Sequence, residues 1–178
     1  MGRWRHIKAI IVLPVMVTVV IPILLLLSSI NLKLMYIAAF PFNYLQIVLG
    51  CAIAGLGLFL LIKTNLHFAT IGKGTLAPWD PPQKFVAVGI YRHVRNPMII
   101  GVILILLGEA VLFGAVLVFI WAIAFLCVNH IFFIKVEEPA LARRFESDYL
   151  RYKESVPRWI PRLKPWTGLL SENQTNSQ

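Results

Sequence analysis

The chain has 178 residues, of which 58% are hydrophobic and only 14% charged. Soluble domains carry about 45–50% apolar residues and roughly a quarter charged, so the mean hydropathy of +0.76 excludes an ordinary soluble domain and points to one integral membrane domain. The net charge of +9 fits cationic loops and anionic membrane lipids as partners rather than nucleic acid.

Met1 to Lys8 carries Arg3, Arg5, His6 and Lys8 and no acid. The next apolar run, residues 9–30, is long enough for about 30 Å of helix. Its length and the lack of a small-residue cleavage site argue for a retained first span rather than a signal peptide. Pro14 and Pro22 should bend it, which neighbouring helices tolerate in lipid.

Residues 44–62 form the second expected span. Gly50, Ala54 and Gly57 share one helical face, so another helix can approach closely there. Lys63 to Asn96 is the longest polar break, rich in Gly, Pro and cations. Residues 98–134 are apolar again, too long for one span and enough for two short ones, 98–111 and 115–134. Gly108, Glu109 and Gly114 place the turn of this helical hairpin within Leu107 to Gly114. Glu109 is expected at the far interface, in solvent. Cys51 and Cys127 read as buried small hydrophobes, with neither disulfide nor metal spacing.

Beyond Lys135, Leu141, Phe145, Tyr149 and Tyr152 recur at helical spacing with charges on the other faces, the pattern of an amphipathic helix ending near Pro157. Residues 1–170 are expected to form a single domain, followed by a disordered tail at 171–178. The fold class is therefore an all-α integral membrane protein with about four transmembrane helices, the last two a hairpin, plus a cytoplasmic amphipathic C-terminal helix. Four spans put both termini and the basic central loop on one side, and the positive-inside rule makes that side cytoplasmic.

A helical hairpin brings its two ends together. Asn96-Pro97 should therefore neighbour Glu137-Glu138, in a pocket that also holds Tyr91, His93 and Arg95, where a soluble ligand and a lipid can meet. His93 reads as a solvated loop histidine. Arg92 or Arg95 suits a lipid phosphate, and Trp79, Trp159 and Trp166 suit an interfacial belt.

The run Gly89-Ile90-Tyr91-Arg92-His93-Val94-Arg95-Asn96-Pro97-Met98, with Gly101 and Gly108 after it, resembles the G-x-Y-x-x-x-R-[HN]-P-x-Y-x-G signature of the isoprenylcysteine carboxyl methyltransferase and phospholipid methyltransferase superfamily. Glu137-Glu138, Leu141, Phe145, Tyr149, Tyr152 and Val156-Pro157 are similar to its second motif. The stretch Gly74 to Pro82 looks like bacterial members, which implies a bacterial inner membrane. The resemblance implies methyl transfer from S-adenosylmethionine to a lipophilic or small acceptor at the cytoplasmic face. It implies cofactor contacts from Gln83, Lys84, Phe85, Val86, Tyr91, Asn96, Pro97, Met98, Ile99 and Glu137, with Glu138 structural and no metal. Asn96, Tyr91 and Arg95 are the candidate catalytic groups. Asn96 stands where the family usually has His, Ile99 where it has Tyr, and Phe133 where prenylcysteine enzymes carry the arginine that meets the substrate carboxylate. The acceptor is therefore left open, and Asn129, His130 and Phe133 become the substrate-side candidates. Two other functions compete: a non-catalytic membrane protein that keeps the fold, and an NADPH-dependent reductase of related architecture. The oligomeric state is open.

Overall fold

The computed structural model describes residues 14–31, 36, 42–67 and 87–168. The start of the first expected span, the strip Gln83 to Val86 and the tail 171–178 lie outside them. The described residues are helical and contain no strand. A π turn, Met16–Val20, leads into α1 (Ile21–Asn31), followed by α2 (Phe42–His67), α3 (Pro97–Phe113) and α4 (Val116–Phe132). A second π turn, Phe133–Glu137, joins α4 without a break to α5 (Glu138–Ser155). Phe42–His67 and the continuous Val116–Ser155 are long and apolar enough to cross a membrane; Met16–Ile30 and Pro97–Phe113 are shorter apolar helices.

The first π turn has a local cause. Pro22 has no N–H to donate. In the i to i−5 register set by Ile21 N–H bonding Met16 O, its partner would be the Val17 carbonyl. The Trp121 indole of α4 donates to that carbonyl instead, at 3.3 Å. The Thr18 hydroxyl bonds the Pro14 carbonyl at 2.8 Å. The prolines thus change the helix's hydrogen-bond register rather than ending it, and a neighbouring helix supplies the missing donor.

α2 and α3 pack through their small residues. A Cβ built on Gly57 would lie 2.6 Å from the Gly101 carbonyl oxygen, and one on Gly108 would lie 2.5 Å from the Ala54 backbone nitrogen. At the far end a Cβ on Gly50 would meet Leu112 backbone at 2.8 Å. The small face of the second span is therefore a helix-packing face, and its partner is α3. Gln46 ties the same end, donating to the Val111 carbonyl at 2.9 Å. On the opposite side of α3, Val102 and Leu106 pack with Ala122, Val17 and Trp121, while Ala110 packs with Ala115, Val118 and Leu25.

The hairpin turn is shorter than expected. Gly108 and Glu109 are helical, and only Gly114-Ala115 breaks the chain. Gly114 takes the left-handed conformation (φ 59°) that ends α3, and a Cβ there would overlap the Tyr36 carbonyl. Glu109 consequently sits inside α3, with its Oε2 buried and without a hydrogen-bond partner among the described residues. Cys51 and Cys127 are exposed rather than buried, on the outward faces of α2 and α4. An apolar run does not say which of its faces is covered.

Candidate active site

The polar break re-enters the described structure at Ala87 and makes a tight turn into α3. Val88 is extended, Gly89 has φ 55°, and Gly89–Arg92 form a 3-10 turn. A Cβ on Gly89 would collide with the His67 ring at the end of α2. Glycine is required here both for its backbone angle and for space. The Tyr91 and His93 amides close the turn onto Val88 and Ile90 carbonyls at 3.1 and 2.9 Å. Asn96 then occupies the N-cap of α3 without a side-chain cap bond, and Pro97 takes the first helical position.

The second wall is the π turn Phe133–Glu137, where the chain leaves the apolar part of α4. Such turns add a residue to the helix and redirect the turns beyond it. Phe133 opens it and is buried. Glu137 closes it, and Glu138 begins α5. The two acids meet opposite fates. Glu137 is pushed up to about 7, first by burial and then by the neighbouring Glu138 carboxylate. Burial would also raise Glu138, but hydrogen bonds from Arg158 and Lys153 and the Arg95 charge more than offset it and hold it below the ordinary range. Arg95 Nη1 reaches Glu138 Oε1 at 2.9 Å, Arg158 Nη2 the same oxygen at 2.7 Å, and Lys153 Nζ reaches Oε2 at 3.1 Å. The Arg95–Glu138 pair spans the two ends of the hairpin and brings the end of the turn beside the acid pair.

The third wall lies beyond α5. The apolar side of α5 is not left bare: Tyr149, Tyr152 and Val156 are buried with Ala87, and Leu141, Phe145 and Trp166 pack against them. From Val156 the chain runs back as an extended strap along the turn. Arg95 N–H donates to the Pro157 carbonyl, Arg162 N–H to the His93 carbonyl and Trp166 N–H to the Arg92 carbonyl, each at 3.0 Å. His93 Nδ1–H donates to the Arg162 carbonyl at 2.8 Å, Arg92 Nε to the Trp166 carbonyl, and the Tyr152 hydroxyl to the Tyr91 carbonyl at 2.6 Å. His93 is therefore a half-buried strap anchor, not a solvated loop histidine. Arg92 and Arg95 are engaged by protein groups.

Tyr91 is buried at the centre of the three walls. Burial, with the Tyr152 phenol and the Glu137 charge, pushes its hydroxyl well above the usual value, so Tyr91 offers a ring face and a neutral phenol but no base. Met98 and Ile99 are half-buried in the first turn of α3, and Pro97 is buried. Asn129 and His130 lie in the last turns of α4; the Asn129 amide donates to the Phe125 carbonyl at 2.8 Å. The expected contacts Gln83, Lys84, Phe85 and Val86 fall outside the described residues.

A sequence model described as phospholipid methyltransferase matches residues 45–148, more than half of the chain. The chain belongs to the phospholipid methyltransferase family. It is accordingly a membrane methyltransferase, and the match covers α2, the turn, the hairpin and the acid pair. No curated protein matches it. The family match stops at Asp148, before the strap. Arg158, Trp159 and Trp166, which the sequence pattern left unassigned or suited to a membrane belt, are instead the strap's contacts to Glu138, His130 and Arg92. The signal was present as two indoles and an arginine crowded just after Val156-Pro157.

Proposed function

We propose that this methyltransferase uses S-adenosylmethionine and methylates a lipophilic or small acceptor at the cytoplasmic face of the membrane. The observation that carries this reading is the convergence of Tyr91, Asn96 and Glu137, with the turn drawn to the acid pair by the 2.9 Å Arg95–Glu138 ion pair. The proposed membrane frame has four spans, with α1 and α3 as the shorter crossings, and places both termini in the cytoplasm of a bacterial inner membrane.

The groups present fit this cofactor. The Asn96 side chain is not occupied in capping α3. Glu137 holds a carboxyl that a cationic partner would ionise, because an ammonium beside it offsets the burial that raised it. Tyr91 offers an aromatic ring to a sulfonium. Bound S-adenosylmethionine supplies an electrophilic methyl group. The residues here would orient it: Glu137 would hold the ammonium of the methionine portion, and the Asn96 amide with the backbone of Pro97 to Ile99 would hold the polar edges, with Gln83 to Val86 as the further contacts that the family resemblance implies. Arg95 acts through Glu138 rather than at the reacting atoms. Water exclusion by the strap and alignment of the acceptor provide most of the acceleration.

The test is a titration of the protein in lipid nanodiscs with S-adenosylmethionine, S-adenosylhomocysteine and NADPH. Both sulfur compounds should bind, and Tyr91→Ala and Glu137→Ala should each weaken them at least tenfold. Binding of NADPH alone, or of none of the three, would sink the proposal. A labelled-methyl assay on membranes then shows whether the product partitions with lipid.

A further inference from the structure

Trp159 of the strap reaches α4. The Trp159 indole N–H donates to His130 Nδ1 at 3.0 Å, and the two rings lie 6.1 Å apart. Trp159 also stands edge-on to Phe133, with centroids 6.0 Å apart. Tryptophan is a donor only. The bond therefore uses the Nδ1 lone pair and leaves the ring proton on Nε2. With Nδ1 accepting from the indole, His130 presents Nε2–H as its donor. A water at Nδ1 would leave that choice open and a carbonyl would reverse it; an indole sets it one way.

Depth narrows what that N–H can meet. His130 lies seven residues before Glu137, about 10 Å farther into the membrane along a helix. An acceptor whose reacting group meets the cofactor methyl near Asn96 must extend inward from there to reach it. In a glycerophospholipid with an amine head the phosphate lies beside the amine, whereas the ester carbonyls at the glycerol neck lie several bonds farther in.

We propose that His130 and Trp159 position the methyl acceptor, Trp159 fixing the tautomer and His130 Nε2–H donating to an ester carbonyl of a diacyl lipid. This rests on the methyl-transfer reading above and names its substrate class. Trp159 is a positioning residue, because it acts through His130. Phe133 braces the indole from the other side, which keeps the donor aimed.

The experiment compares diacyl and dialkyl (ether-linked) aminophospholipids as acceptors in nanodiscs, with imidazole nitrogen spectra of the same samples. In the wild type the His130 spectrum should show the proton on Nε2, and Trp159→Phe, which keeps a ring against Phe133, should lose that bias. Trp159→Phe and His130→Leu should raise KM for the diacyl lipid about tenfold, the size of one net hydrogen bond. Neither should change S-adenosylmethionine affinity. His130→Gln, whose amide supplies a donor, should recover most of the loss. The dialkyl lipid should show the raised KM already in the wild type and no further change in the variants. A proton on Nδ1 in the wild type, or an unchanged diacyl KM in both variants, overturns the proposal. Failure of the wild type to methylate either lipid overturns the acceptor proposal while the function reading stands if S-adenosylmethionine still binds; loss of that binding overturns the function reading itself.

Discussion

Glu137 and Glu138 are adjacent in sequence and opposite in chemistry. Glu138 faces three cations and is held ionised, whereas Glu137 is raised to about 7 by burial and its neighbour. Because its folded value exceeds the ordinary 4.5, the folded protein keeps a proton on Glu137 that the unfolded chain has lost. Stability should therefore fall as pH rises between about 4.5 and 7. Affinity for a cationic cofactor should run the other way, rising as pH passes about 7, with a proton released on binding. Calorimetry in buffers of different ionisation enthalpy would show the release. Glu137→Gln should bind at least tenfold more weakly and with no pH dependence through that window. Glu138 has the opposite sign. Its lowered value means that its stabilisation is present above the ordinary 4.5 and disappears as pH falls through the folded value. Glu138→Gln leaves Arg95 and Arg158 facing no charge and should cost about 3–5 kcal/mol in denaturant titration.

Between elements, what decides the fold is how closely backbones approach. Gly55 and Gly57 differ by two residues and share a composition. A Cβ on Gly55 meets nothing within 4 Å, while one on Gly57 would lie 2.6 Å from a backbone oxygen. Gly55→Ala should therefore be neutral or stabilise by about 0.5–1 kcal/mol through helix propensity. Gly57→Ala should destabilise by about 1–3 kcal/mol, because the obstructing atoms are main chain and cannot rotate away. Thermal melts of the two variants in one detergent check the pair. The small face on α2 was legible from the spacing of Gly50, Ala54 and Gly57, but not its partner, since the matching glycines Gly101 and Gly108 also suited a family signature and a turn. The acid pair's place beside Asn96 was legible from the hairpin alone. The outward Cys51 and Cys127 were not, because lipid and protein core reward the same apolar residues.

At the scale of the whole molecule, the site closes only when the strap from Val156 to Trp166 lies along the Gly89–Arg92 turn. Most of what holds it there is main chain to main chain, or side chain to carbonyl: Arg95 to Pro157, Arg162 to His93, Trp166 to Arg92, and the Arg92 and His93 side chains to the Trp166 and Arg162 carbonyls. Every residue has a carbonyl, so these bonds leave no pattern of residue types in the sequence. The strap's path was therefore not legible beyond its crowded indoles and arginine, while the aromatic face of α5 that backs it was plain as the apolar side of an amphipathic helix. Replacing Arg158 to Lys164 with a Gly/Ser segment of equal length should leave the helical content of the membrane core unchanged by circular dichroism. It should reduce S-adenosylmethionine affinity more than tenfold, because Glu138 loses the Arg158 side chain and a flexible Gly/Ser segment no longer holds the strap's main chain against the turn.

The indole of Trp121 fills a vacancy that Pro22 creates, on a carbonyl more than a hundred positions earlier in the chain. Such a debt fixes a history as well as a structure. Tryptophan at 121 with an ordinary residue at 22 has only a redundant donor, whereas proline at 22 without the indole leaves the Val17 carbonyl short of a partner. The less costly order of substitution is indole first and proline second, after which neither is free to revert alone. Trp121→Phe should cost about 1–2 kcal/mol in the native sequence and much less beside Pro22→Ala, whose restored N–H can serve Val17 itself. Among relatives of this chain, residues at positions 22 and 121 should therefore change together.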